Sequence, residues 1–168
     1  TAVGAYPIRV VEAMAAICVE AERGPGGAPP PEFVGAPGSF ASAIARATAE
    51  AADGLGLRTV VAFTDSGTTA RLVSKYRPAA RILAFTPRPE TFRRMAVLWG
   101  VTPVELPRRD STDEMIETAE RILLERGLAV RGDGVAMAAG VPPNQDAATN
   151  LLKLHTVGES GSGVGRRQ

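Results

Sequence analysis

The sequence predicts an α/β fold: a three-layer sandwich on a mainly parallel sheet of about five strands, the last antiparallel. Three observations lead there. From Arg58 onward, short apolar or β-branched runs alternate with helix-length segments, the pattern of βαβ units around a parallel sheet. The final two runs have no helix between them, so the last strand is expected to pair antiparallel at an edge. Hydrophobic content of 45% and charged content of 22% over 168 residues suit one domain with a sizeable core and some appended pieces.

The elements follow in order. Pro7 suits the first position of a helix, and Ile8, Val11, Met14, Ala15, Cys18 and Val19 recur at helical spacing up to Glu22. Cys18 falls on that apolar face, where a packed thiol is expected rather than a nucleophile. Arg23 to Ser39 has the Gly/Pro-rich composition of a linker or surface excursion. Phe40 to Ala52 is Ala-rich and helical, stopped by Asp53-Gly54 and Gly56.

Strand Thr59 to Phe63 precedes helix Thr68 to Tyr76; strand Arg81 to Phe85 precedes helix Glu90 to Trp99, with Pro89 near its start. Phe92 and Trp99 are expected on that one helix as core or interface residues. Strand Val101 to Leu106 leads to helix Ser111 to Arg126, opened by a capping box at Ser111 to Glu114. Gly134 to Ala139 and Leu151 to Val157 complete the strands. Four segments result: 1–23, a linker at 24–37, the α/β domain at 38–157, and a Gly/Ser-rich tail at 158–168.

Composition removes several function classes. A net charge of +1, with no basic block interleaved with aromatics, argues against nucleic-acid binding. No run of about 18 apolar residues is present to span a bilayer, so no membrane partner is expected. The lone Cys18 cannot form an internal disulfide, which fits a reducing cytoplasm.

The segment FTDSGTTA, Phe63 to Ala70, says most about function. A strand turning over Ser66-Gly67 into a helix presents backbone N–H groups beside the hydroxyls of Thr64, Ser66, Thr68 and Thr69. That combination suits an anion, above all a phosphate. In an open α/β sheet, ligands sit beyond the carboxyl ends of the strands. Thr86 to Arg88 and the long loop Gly140 to Asn150 should share that edge, with Arg71 and Arg88 offering charge-assisted contacts.

A plainer reading stands beside it, in which Ser66 and Thr68 only cap a helix and Gly67 only supplies a permissive backbone. The turn lacks the Gly-Lys-Ser/Thr ending of a P-loop, and the Asp65 carboxylate opposes a phosphate. His155 has no Cys/His/carboxylate cluster at metal-ligand spacing. No Ser/His/Asp set or paired carboxylates stand out, so no catalytic or metal-ligating residue is expected in this chain.

With these residues on the page, the chain resembles the C-terminal part of pyruvate kinase over nearly its whole length. TAVGAYP at Thr1 to Pro7 is similar to the family's GETAxGxYP segment without its first two residues. VVAFTDSGTTARLVSKYRPAARILAFTP resembles the family's strand, phosphate-loop helix and next strand. LWGVTPV, STDEM, the GL-x-x-x-GD stretch from Gly127 to Asp133, and AAGVPPNQDAATNLLKLHTV follow in the same order. GSGVGRRQ looks like the opening of an extra C-terminal domain of some bacterial members, so both ends are expected to be cut from a longer enzyme.

The resemblance implies a glycolytic enzyme transferring phosphate from phosphoenolpyruvate to ADP, using magnesium and potassium, usually as a cytoplasmic homo-tetramer. It implies that the catalytic residues lie upstream of Thr1, with Pro7 to Glu22 the last helix of a TIM barrel. It assigns the remainder to a regulatory domain that binds a phosphorylated effector, a sugar phosphate or AMP. The matching positions are Thr64, Ser66, Gly67, Thr68, Thr69 and Arg71 for the phosphate turn, and Gly140, Pro143, Asn144, Thr149 and Asn150 for the effector loop. Family members often carry Lys or Arg at the position of Thr68 and an uncharged residue at that of Asp65. Charge-assisted contacts are worth about 1.5–3 kcal/mol each, so both departures are expected to weaken phosphate binding.

Overall fold

The computed structural model describes residues 3–23, 38–143 and 147–159. The linker at 24–37 and residues 160–168 of the tail lie outside the described residues. The chain separates into two compact units, Thr1–Pro30 and Pro31–Gln168.

The first unit holds α1 (Pro7–Arg23), opened by Pro7 as its missing N–H allows. Its apolar residues Ile8, Val11, Met14 and Ile17 are exposed, and so is Cys18. This corrects the packed thiol expected from spacing: α1 is the sole described helix of its unit, and its apolar stripe has no second layer among that unit's described residues.

The second unit holds α2 (Phe40–Gly54), β1 (Thr59–Phe63), α3 (Thr68–Lys75), β2 (Arg81–Thr86), α4 (Pro89–Met95), β3 (Val101–Glu105), α5 (Thr112–Glu125), β4 (Gly134–Ala139) and β5 (Leu151–Thr156). Strand order is β3-β2-β1-β4-β5, parallel except for the antiparallel β4–β5 pair. Pro103 lies in edge strand β3, where a residue without an N–H is tolerated.

Alternation along the strands sorts the core into two layers. Val60, Ala62, Ile82, Ala84 and Ala136 point to one face and pack with Ala45, Ala49 and Ala52 of α2 and Val73 of α3. The Ala-rich composition of α2 thus has a packing reason: small side chains on both sides let helix and sheet approach closely. Val61, Phe63, Leu83, Phe85 and Met137 point the other way and pack with Ile116, Ala119 and Leu123 of α5. That face carries one described helix against large side chains. The two layers make the three-layer sandwich that the alternating pattern predicts.

Local signals explain most boundaries. Ser39 caps α2 by accepting from the Ser42 N–H, and Ser111 caps α5 by accepting from the Glu114 N–H at 3.2 Å. Asp113 and Glu114 lie in the first turn of α5, where the helix dipole favours acidic residues. The α4 helix is shorter than its pattern suggests. It ends at Met95, and Leu98 N–H and Val101 N–H donate three residues back, to Met95 and Leu98 carbonyls, which turns the chain into β3. Trp99 therefore lies beyond the helix that carries Phe92, with the Arg77 guanidinium 5.6 Å from its ring centroid.

Candidate functional site

The topology dictates where a ligand can sit. The chain moves outward from β1 to β2 to β3, then crosses through α5 to β4 on the opposite side of β1. The loops leaving β1 and β4 therefore diverge, and a crevice opens at this switch point. A cavity of about 430 Å³ occupies it, lined by the Thr64 to Thr69 turn, Arg108 and Arg109 after β3, and Gly140, Pro143 and Thr149 after β4. Phe63, Phe85, Leu106 and Met115 supply its apolar wall.

The β1 turn is held by its own hydroxyls. Thr64 Oγ1 accepts from the Gly67 N–H at 2.9 Å, and Ser66 Oγ accepts from the Thr68 N–H at 3.4 Å while donating to Thr68 Oγ1 at 2.9 Å. Gly67 is the N-cap of α3 at φ 88, a left-handed conformation that glycine adopts without a Cβ penalty. The plain capping role survives for Ser66, whose Oγ accepts from the first N–H of α3, although the N-cap position itself is Gly67. Outside the turn, α4 clamps it. Thr91 Oγ1 donates to the Asp65 carbonyl at 2.8 Å and Arg94 donates to the Ser66 carbonyl at 2.8 Å.

The turn and the late loop meet directly. Thr69 Oγ1 and Thr149 Oγ1 are 2.7 Å apart, and both residues are buried. Gly140 is the position where the late loop folds back, because a Cβ there would stand 2.4 Å from the Ala147 carbonyl oxygen. Asn150 pins the loop by accepting from Val141 N–H and donating to the Val141 carbonyl, each at 2.8 Å.

Among the residues singled out from sequence, Thr64, Ser66, Thr68, Thr69, Gly140, Pro143 and Thr149 line one cavity. Gly67 shapes the turn and Asn150 shapes the loop, while Asn144 lies outside the described residues. Arg71 departs from expectation: it is exposed and does not line the cavity. Two residues of helix turn it by about 200° from Thr69, which points inward. Arg88 is exposed as well, its guanidinium directed at Asp65 rather than into the cavity.

Three features escaped the sequence. Arg108 and Arg109 follow β3 with no motif to mark them, yet they line the cavity; Arg109 Nε donates to Thr118 Oγ1 at 2.8 Å. The Asp65 carboxylate, judged from sequence only as a repulsive charge, faces Arg88 at 3.9 Å and Arg108 at 4.0 Å. Away from the cavity, His155 Nε2 hydrogen-bonds the Glu120 carboxylate, joining β5 to α5. Among the described residues, no group of three or more His, Cys, Asp or Glu is arranged to hold a metal ion. No described helix is long and apolar enough to cross a membrane.

Comparison with known proteins agrees with this architecture. The model of the family described as pyruvate kinase, alpha/beta domain, matches residues 42–155. A pyruvate kinase of Staphylococcus aureus strain bovine RF122 / ET3-1 is 38% identical over 173 aligned positions, covering 99% of this chain and 29% of the relative. That of strain MRSA252 gives the same figures. A crystal structure of a pyruvate kinase from Cryptosporidium parvum is similar at TM-score 0.65 and 31% identity, over 74% of this chain and 24% of that one. The chain thus spans less than a third of the length of these relatives. With the match reaching from the first turn of α2 into β5, the chain belongs to the pyruvate kinase α/β-domain family.

Proposed function

We propose that this chain is the allosteric segment of a pyruvate kinase and binds a phosphorylated small molecule, a sugar phosphate or AMP, in the cavity beyond β1 and β4. The observation that carries the proposal is the convergence of a hydroxyl-rich strand–turn–helix with a second loop, coupled through Thr69 and Thr149, on one cavity of about 430 Å³. The head of α3 offers N–H donors and the positive end of a helix dipole to a phosphate, and the pocket is large enough for a sugar or nucleoside body. Transfer of phosphate from phosphoenolpyruvate to ADP, with magnesium and potassium, belongs in this proposal to parts of the cytoplasmic enzyme outside this chain, and no residue here is assigned to either cation. Segments 1–23, 24–37 and 38–157 serve as barrel helix, linker and regulatory domain.

Titration calorimetry with AMP, ribose 5-phosphate and fructose 1,6-bisphosphate tests the proposal. At least one is expected to bind, and Thr64→Ala is expected to weaken it about tenfold, because the turn loses the bond that orders the Gly67 N–H. The chain alone is expected to show no phosphoryl transfer. Heat from none of the three ligands, or turnover by the chain itself, overturns the proposal.

A second role in assembly is favoured by β5. It ends the strand order, and Leu154 on it is exposed, a combination suited to pairing with another copy as part of a homo-tetramer. Sedimentation velocity is expected to show concentration-dependent self-association; a single monomeric species across a hundredfold concentration range counts against it.

A further inference from the structure

We propose that Arg108 is the charged phosphate partner of this pocket and that Asp65 is its built-in competitor, holding the guanidinium until a ligand displaces it. The inference rests on the effector-binding proposal and assigns residues to that same site. The turn carries hydroxyls and backbone N–H groups but no cation, for Thr68 is neutral and Arg71 does not line the cavity. Two residues that bear full positive charge do line it, Arg108 and Arg109, both from the loop after β3. Arg109 is engaged on its own side of the pocket, with Thr118 Oγ1 at 2.8 Å and the Arg108 carbonyl at 3.0 Å. Arg108 is the one whose charged end reaches across to the turn, where Nη2 lies 4.0 Å from Asp65 Oδ2.

Asp65 and Arg108 both line the cavity, so their ion pair belongs to the wall that a phosphate at the head of α3 would meet. At 36% and 54% side-chain exposure, and at 4.0 Å, this pair is loose and solvated. A phosphate dianion offers the same guanidinium two or three oxygens in bidentate geometry, a stronger acceptor than one carboxylate oxygen at that distance. Arg88 sits 3.9 Å from the same Asp65 oxygen, so the carboxylate keeps a partner after Arg108 leaves. The exchange therefore strands no charge. It also links ligand arrival to the β3–α5 loop, which the free state ties to the β1 turn.

Calorimetry with ribose 5-phosphate, and with inorganic phosphate as the minimal probe, tests this on the full 168-residue chain. Asp65→Asn is expected to tighten binding roughly three- to fivefold, because Arg108 no longer has to leave an exposed ion pair before it meets the phosphate. Arg108→Met is expected to weaken it about tenfold or more. Combining them should shrink the Asp65→Asn gain to less than about twofold, since that gain runs through Arg108. Both side chains are exposed enough that neither change unseats the core, and unaltered thermal unfolding verifies it. Weaker binding in Asp65→Asn, unchanged binding in Arg108→Met, or a gain that persists fully in the double variant overturns the inference while leaving the effector proposal standing. Heat from no variant with either probe overturns the effector proposal and this inference with it.

Discussion

Phe85→Ala is expected to destabilise the α/β unit by about 3–5 kcal/mol, the range for removing a buried aromatic ring. Phe85 is 1% exposed on β2, which is hydrogen-bonded on both sides by β1 and β3. Its ring sits 5.7 Å from that of Phe63, tilted by 38°, in the core layer shared with Leu83, Val104 and Met115. Because Phe85 also lines the cavity, water can enter the space the ring leaves. That relieves part of the void cost and places the expected loss near 3 kcal/mol. Set against the roughly 5–15 kcal/mol of a typical domain, the effect is large. Urea unfolding followed by circular dichroism reads it, and a midpoint within error of the parent chain contradicts the packing described.

Gly140→Val is expected to cost about 2–4 kcal/mol and to remove the proposed ligand binding. The conflict is steric and lies with backbone: a Cβ at Gly140 would meet the Ala147 carbonyl oxygen at 2.4 Å and the Ala147 carbonyl carbon at 3.2 Å. A flexible side chain can move aside, whereas here the strand end or the returning loop must shift. Displacing 147–150 pulls Thr149 from Thr69 and leaves a buried hydroxyl without its partner at 2.7 Å. Overpacking accounts for about 1–3 kcal/mol of the loss and the orphaned hydroxyl for about 1 kcal/mol or more. Unfolding measurements and ribose 5-phosphate titration on the same variant read both effects. Stability and affinity equal to the parent would show that the loop tolerates a side chain at this approach.

Several elements were legible because their signals are local. Strands β1 and β4 have the bounds that their apolar runs mark, Thr59–Phe63 and Gly134–Ala139. The Ser111 cap was readable because donor and acceptor are three residues apart. Expectations that depended on how far a pattern extends fared worse. The α4 helix stops at Met95 because the chain must turn to enter β3 as the sheet requires, although its residues favour helix further on. Arg71 has the right chemistry in the right segment, but the helical rotation that buries Thr69 carries it out of the cavity.

The sequence by itself determined the βαβ order, the family, and the turn and loop that converge on the cavity, because each is written in residues close together along the chain. Tertiary structure decided which charges share that cavity. Asp65 meets Arg88 and Arg108, Thr69 meets Thr149 across 80 residues, and His155 meets Glu120 across 35. None of these pairs has a spacing that could announce it, since each joins elements or loops far apart in the chain that the strand order brings together. From sequence alone Asp65 is a negative charge on a phosphate turn; with β2 and β3 beside it, it is a carboxylate with two guanidinium partners. The physical reason is the sheet: hydrogen bonding between strands sets residues side by side without regard to their separation along the chain.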